Sequence, residues 1–362
     1  TERKDIVDWL AIKNHLKNGR LTRKMYGNVY DEMIKIRNSM QVSIAEIQPI
    51  NPREYDKASA AKRINLIVPS VDEKHVFGGI ATALSFFEKL CDSINCERRI
   101  IVTDADVVKD TMVKNVFSYD IVSSEENVNS DYQIIPFADR YKKTIPVKSG
   151  DIFLATGWWT AYNISSVIEW QKEKYHVDNN LLYLVQDYEP GFYPWSSKYL
   201  LADSTYRMKI PTVAIMNSKL LYDFFEKNGY NFKEKFYFEP ALNLELKKYL
   251  KQGIDKNIMR NKRVMIYGRP GTERNAFSLI VTALKEWVLI QEGIGEWEII
   301  SAGESFDPID LGNGKYLKSL GKVSLEEYAN LMLTTKAAIS LMVSPHPSYP
   351  PLEMASFGVR VI

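Results

Sequence analysis

Arg269 and Arg274 are the residues whose type and spacing point most directly to chemistry. They bracket the turn Tyr267-Gly268-Arg269-Pro270-Gly271-Thr272-Glu273-Arg274-Asn275, which follows the apolar run Val264–Tyr267 and leads into a helical pattern from about Asn275. A helix start presents outward-pointing backbone N–H groups, and arginine forks match phosphate oxygens, so the pair suits a diphosphate. Gly268 would let the backbone approach such a ligand. The turn is neither a Walker A loop, which needs Gly-Lys-Ser/Thr, nor Gly-x-Gly-x-x-Gly. A solvated turn carrying two surface arginines is the competing reading.

Two further loops carry unusual residues. In Ser344-Pro345-His346-Pro347-Ser348-Tyr349-Pro350-Pro351-Leu352-Glu353, Pro351 can open a helix whose first turn holds Glu353. The helix dipole should keep that carboxylate ionised, ready to accept hydrogen bonds from ribose hydroxyls; a plain capping glutamate is the alternative. Backbone N–H groups of the same turn, around Ser348 and Tyr349, would add phosphate contacts. In Val76-Phe77-Gly78-Gly79-Ile80 the paired glycines before a helix either admit a substrate close to the backbone or form a simple tight turn. Trp158, Trp159, Tyr188, Phe192, Tyr193, Trp195 and Tyr349 cluster beside loop signals. Flat apolar faces with polar edges match a pyranose ring, and lids over the core are the alternative. Asp187, in Val185-Gln186-Asp187-Tyr188-Glu189, is a candidate for orienting an acceptor, or a buried structural aspartate. Asp104-Ala105-Asp106 has metal–diphosphate spacing but follows an early strand, so it reads as a solvated loop. The histidines His15, His75, His176 and His346 are scattered, and no metal is expected.

These residues must be positioned by a chain of 362 residues with 47 Lys+Arg, 45 Asp+Glu and a formal net charge of +2. The length favours two domains, and 45% hydrophobic with 25% charged residues excludes wholesale disorder. So balanced a charge gives no field to hold nucleic acid by counterion release. No apolar run is long enough to span a bilayer, and Thr1–Asp8 lacks the apolar stretch of a signal peptide. Cys91 and Cys96 have no partner pair, which excludes a disulfide scaffold and points to a reduced, cytoplasmic protein.

Residues 1–60 read as a helical extension, with amphipathic runs at Asp5–Leu16 and Met25–Ile36. Its basic residues (Arg3, Lys4, Lys13, Lys17, Arg20, Arg23, Lys24) form a solvated face or a contact with an anionic acceptor or membrane surface. From Ile64 short apolar runs alternate with helical stretches: strands at Ile64–Pro69, Arg99–Thr103, Asp151–Ala155, Leu181–Val185 and Thr212–Met216, and helices at Ile80–Leu90, Thr160–Trp170 and Ser218–Lys227. This alternation predicts a parallel, doubly wound sheet over 61–245. A Lys-rich passage near 241–262 reads as a linker. A second doubly wound domain then occupies 246–362, with strands Val264–Tyr267, Trp297–Ala302, Ala337–Met342 and Val359–Ile362. A capping box, Ser324 to Glu327, opens one of its helices, and a short helix Pro351–Phe357 is stopped by Gly358. A strand that ends the chain leaves no helix to cover it, so the C-terminal end is expected to be incomplete. The fold class is α/β, two Rossmann-like domains facing a cleft.

Gly268-Arg269 with Arg274, then Gly321-Lys322-Val323-Ser324-Leu325-Glu326-Glu327-Tyr328, then Pro351-Leu352-Glu353-Met354-Ala355-Ser356-Phe357-Gly358-Val359-Arg360-Val361-Ile362 resembles the donor domain of retaining GT-B glycosyltransferases. Gly78-Gly79 occupies the place of that family's first-domain glycine loop. The resemblance covers about residues 64 to 362 and implies that 61–245 binds an acceptor and 246–362 a nucleotide sugar. It implies Gly79, Gly268, Arg269, Arg274, Lys322, Val323, Ser348, Tyr349 and Glu353 around the donor nucleotide and diphosphate. Gly78, Trp158, Trp159, Tyr188 and Tyr193 would meet the sugar or acceptor, with Arg269, Arg274 and Asp187 in catalysis. Two departures stand out: Arg360 replaces a common proline, and Pro345 stands where the family often has a sugar-binding glutamate, seven residues before the second. Sugar contacts are then left to His346, Ser348 or Tyr349. The implied reaction moves a hexosyl unit, rhamnose from dTDP-rhamnose, onto a growing polysaccharide such as an S-layer rhamnan, at the inner face of the membrane and without a metal. A nucleotide-sugar epimerase of the same fold and a catalytically silent glycan-binding module are the rival readings.

Overall fold

The computed structural model describes residues 44–55, 62–75, 78–128, 130–141, 143–254, 259–346 and 348–362. The chain divides into two compact units, Thr1–Gln48 and Pro49–Ile362. In the first, the described residues form only a short 3-10 turn at Ala45–Ile47. The two amphipathic runs expected there lie outside the described residues.

The second unit contains strands β1 Asn51–Glu54, β2 Arg63–Val68, β3 Glu97–Val102, β4 Asp120–Ile121, β5 Tyr132–Pro136, β6 Thr144–Val147, β7 Asp151–Ala155, β8 Leu181–Val185, β9 Thr212–Met216, β10 Glu234–Tyr237, β11 Asn261–Gly268, β12 Glu298–Gly303, β13 Ile309–Gly312, β14 Lys315–Ser319, β15 Thr335–Ile339 and β16 Arg360–Val361. Its helices are α1 Gly78–Ile94, α2 Trp158–Tyr175, α3 Ser197–Thr205, α4 Lys219–Lys227, α5 Leu244–Ile254, α6 Phe277–Ile290, α7 Leu325–Thr334 and α8 Tyr349–Ser356.

β2 is buried along its whole length, as a strand with helices on both faces must be. It lies inside an eight-stranded parallel sheet ordered β10-β9-β8-β7-β2-β3-β5-β4. Leu66 stands opposite Ile100 of β3 and Leu154 of β7. One face is covered by α2 and α4 through Ile164, Val167, Leu221 and Phe225; the other by α1 through Leu84, Phe87 and Cys91. The second sheet runs β13-β14-β12-β11-β15-β16, parallel except for the β13–β14 hairpin. There α6 packs Ile280, Leu284 and Val288 on one face, while Met332 of α7, Met354 of α8 and Phe357 just after α8 pack on the other.

Both sheets therefore have strand orders that reverse beside a central strand, at β2/β7 and at β11/β15. Such a reversal opens a crevice at the carboxyl ends of the strands, because successive crossovers leave to opposite sides.

Three expectations change. β1, inside the segment read as an extension, pairs in parallel with β6 and belongs with the first sheet's half. The segment read as a linker contains α5, whose Leu246 is buried in the second half's core. Gly78 and Gly79 are the first turn of α1 rather than a loop before it, with Gly78 at φ +29°.

Candidate active site between the two sheets

Local sequence explains how each wall of the crevice is made. Gly268 ends β11, where a Cβ would meet Ser301 Oγ at 2.3 Å; its lack of a side chain serves packing against β12. Asn275, fully buried, accepts from the Arg269 N–H (2.7 Å) and donates to the carbonyls of Tyr267 (3.1 Å) and Leu341 (3.2 Å). It thereby locks the end of β11 to the segment following β15. Ala276 is left-handed, and α6 begins at Phe277, not at Asn275.

A cavity of about 300 Å³ lies where the two carboxyl edges meet. From the first half it is walled by Pro69, Gly79, Ile80, Thr156, Trp159, Gln186, Asp187, Glu189, Phe192 and Asn217; from the second by Arg274, Met342, His346, Ser348 and Tyr349. Helix starts from both halves face it, α1 at Gly79 and α8 at Ser348 and Tyr349. Gly79 packs closely on Gln186, since a Cβ there would come within 3.1 Å of its Oε1.

The two halves are joined across this cavity. Arg274 Nη1 donates to Asp187 Oδ2, and Ser344 Oγ donates to Asp187 Oδ1. The Arg274 guanidinium also lies 4.0 Å from the centre of the Phe192 ring, a cation–π contact. Thr82 and Tyr349 share a hydroxyl contact at 3.3 Å. Beside these, His346 is buried: its backbone N–H donates to Ser344 Oγ (2.9 Å), and its Nδ1 accepts from the Ser348 N–H (3.0 Å). Burial pushes His346 below its ordinary pKa, so the ring is neutral, with its proton on Nε2. Ser348 holds φ +67°, rare for a residue other than glycine.

Glu189 is also buried and accepts from the Trp158 N–H at the start of α2. Burial, reinforced by the Asp187 carboxylate, pushes its pKa up to about 8 despite that hydrogen bond. Glu189 is thus predominantly a neutral acid at pH 7.

The expected site residues divide. Gly79, Trp159, Asp187, Arg274, Ser348 and Tyr349 come together on the cavity wall, and Gly78 opens α1 beside them. Arg269 does not join Arg274: its Nε pairs with Glu304 (3.3 Å), and it lies outside the wall. Gly268, Lys322, Val323 and Glu353 also lie outside the wall, within the second half. Burial raises the Glu353 carboxyl above its ordinary pKa, and the Tyr328 hydroxyl only partly offsets this. Trp158 is fully buried, its Nε1–H donating to Tyr193 OH at 3.0 Å, so its ring is core and Tyr193 is its partner. Tyr188 is wedged against Tyr206, Phe224 and Tyr230, with its hydroxyl 3.0 Å from that of Tyr230; it too is core. Sequence reasoning missed Gln186, Glu189 and Asn217 as wall residues. Their signal was position, since each follows β8 or β9 at the carboxyl end. Among the described residues no group of three or more His, Cys, Asp and Glu side chains is arranged to hold a metal, and no helix is long and apolar enough to cross a membrane.

Residues 63–219 match the WsaF N-terminal domain, and residues 262–362 match the WsaF C-terminal domain. The chain belongs to the WsaF family. The boundary between the two WsaF domains falls in the stretch that carries β10 and α5. A curated relative, the O-antigen biosynthesis protein RfbC of Myxococcus xanthus, is 33% identical over 216 residues, which are 59% of this chain. The match takes in only 15% of that relative's length. Sucrose-phosphate synthase from Thermosynechococcus elongatus superposes with a TM-score of 0.51 at 13% identity, covering 83% of this chain and 80% of that one. That likeness concerns the fold, which in this WsaF family member is GT-B.

Proposed function

We propose that the chain is a glycosyltransferase that moves a hexosyl unit, rhamnose from dTDP-rhamnose, onto a growing surface polysaccharide with retention of anomeric configuration. The observation that supports this reading is the convergence on one cavity of helix starts from both halves and the guanidinium of Arg274. The WsaF domains and the polysaccharide-related name of the RfbC relative favour the same substrate class.

A departing diphosphate gains negative charge as the glycosidic bond stretches. Preorganised positive donors that meet that charge lower the barrier, and losing one such donor costs roughly 10²–10³-fold in turnover. Arg274 and the N–H group of Tyr349 are placed to do this, the Ser348 N–H being taken by His346 Nδ1. Only one amino group of Arg274 is engaged by Asp187, which leaves further N–H donors for phosphate oxygens. Glu353, Lys322 and Val323 hold the nucleoside on the second half. Asp187, reaching from the end of β8, orients the acceptor hydroxyl, whose proton passes to the leaving phosphate oxygen on the same face. The charge is carried without a metal, and the reaction takes place at the cytoplasmic face of the membrane.

Two assays test this. Incubation with radiolabelled dTDP-rhamnose and a rhamnose-terminated acceptor should give a lengthened glycan; isomerised donor, or no product, would contradict it. In thermal shift, dTDP should raise the melting temperature more than UDP or GDP at equal concentration, since a ligand that binds only the folded state stabilises it by mass action.

A further inference from the structure

Buried polar atoms without partners are rare in folded proteins, because each gives up the hydrogen bonds it would make in water. Among the described residues, four of them belong to side chains on this one cavity wall: Trp159 Nε1, Gln186 Oε1, Asn217 Oδ1 and His346 Nε2. Three come from the carboxyl end of the first sheet and one from the second half. The set is chemically balanced. The indole N–H and the Nε2–H of the neutral His346 are donors; the two amide oxygens are acceptors. None carries charge, and the adjacent ion pair, Arg274 with Asp187, is internally neutral.

We infer that Trp159, Gln186, Asn217 and His346 form a hydroxyl-reading array for an uncharged sugar ring, and that they select neutral sugars against uronic acids. A hydroxyl both donates and accepts, so a ring bearing several can satisfy donors and acceptors together. A carboxylate only accepts: it can take the N–H groups of Trp159, His346 and Arg274, but it leaves the amide oxygens of Gln186 and Asn217 unpaired and sets its charge beside the Asp187 carboxylate, whereas hydroxyls answer donors and acceptors alike. Sites that hydrogen-bond substrate hydroxyls discriminate strongly, because a ligand lacking the match leaves buried groups unpaired. Gly157 supports the arrangement, since the Trp159 ring lies so close that a Cβ there would approach it to 2.9 Å. This inference rests on the glycosyltransferase reading for its place in a reaction, while its binding claim is separately measurable.

The test is titration of the full chain, followed by saturation-transfer NMR. Methyl β-D-glucopyranoside and methyl β-D-glucuronopyranoside, which differ only in the carboxylate, report the selection. Methyl α-L-rhamnopyranoside reports the array. The neutral glucoside should bind at least tenfold more tightly than the glucuronoside. Gln186→Met, close to isosteric, and Trp159→Phe, which removes the N–H together with part of the ring, should each weaken the rhamnoside about tenfold while dTDP affinity stays unchanged, and Gln186→Met should keep the wild-type melting temperature. Equal binding of the matched pair, or wild-type rhamnoside affinity in both variants, would overturn the inference. Selective sugar binding by a wild type that does not bind dTDP would uphold the array and instead overturn the glycosyltransferase reading.

Discussion

Two arginine–aspartate pairs sit at opposite ends of the first sheet. At the amino end, Arg63 grips Asp151 in a fork, with Nε–Oδ1 at 2.7 Å and Nη2–Oδ2 at 2.8 Å. Arg99 adds a contact to Asp151 at 3.3 Å and donates to the Pro146 carbonyl at 2.7 Å. All three residues are fully buried, on adjacent strands in register. At the carboxyl end, Arg274 meets Asp187 across the crevice, with side chains 25% and 14% exposed and a cavity beside them. The first pair is surrounded by fixed partners and has no room for a ligand. The second bridges two halves of the molecule and keeps donors to spare. Identical chemistry is therefore structural where every group is satisfied by the sheet, and available for binding where it is not.

The largest expected effect breaks the amino-end pair. Asp151→Ala leaves two buried guanidinium groups uncompensated and should destabilise the fold by about 3–5 kcal/mol in denaturant titration. Although burial opposes ionisation, Arg63 and Arg99 hold the Asp151 carboxyl below its ordinary pKa. Its contribution is present above the unfolded carboxylate value, about 3.9, and is lost only as the pH falls through the lower folded value. Wild type should therefore lose this contribution only below about pH 4. A variant as stable as wild type would show the pair to be dispensable.

Next is the carboxyl-end pair. Arg274→Ala should lower turnover by roughly 10²–10³-fold with a melting temperature close to wild type, the reverse of the Asp151 result. Full activity would remove Arg274 from the chemistry.

A smaller effect concerns Glu189, whose folded pKa is raised. The stability this raised pKa brings is present below the unfolded value, about 4.3, and is lost as the pH climbs towards about 8. Stability of the wild type should decline between pH 5 and 8, and Glu189→Gln should flatten that decline in thermal melts. An unchanged slope would place Glu189 outside the titration.

The smallest effect is at the α7 cap. Ser324 and Glu327 form the capping box expected from their spacing, with N–H to Oγ at 3.2 Å and N–H to Oε2 at 2.9 Å. Ser324→Ala should cost about 1 kcal/mol and leave turnover untouched.

Much of this was legible in the sequence because it is local. Continuous apolar runs marked β2, β3, β7, β8 and β9, and the capping box and Gly358 marked helix ends. Arg274 and Asp187 stood at carboxyl ends of such strands. What escaped depends on partners distant in the chain. Arg63, Arg99 and Asp151 look like ordinary strand-edge charges until β2, β3 and β7 are aligned. β1 and β6 have four residues each and both contain a proline, too little to announce a pairing 93 residues apart at Asn51 and Thr144. Trp158 and Trp159 are adjacent and alike, yet the start of α2 turns one into the core and the other to the cavity. Arg269 and Arg274 share one turn, and only Glu304, from the neighbouring strand's end, separates their roles.

The most direct test is calorimetric titration of dTDP into Arg274→Ala and Asp187→Asn. If the guanidinium is held by Asp187 and claimed by the diphosphate, the first variant should bind dTDP at least tenfold more weakly. The second, which frees Arg274, should bind it more tightly than wild type. Equal affinity in all three proteins would contradict the account.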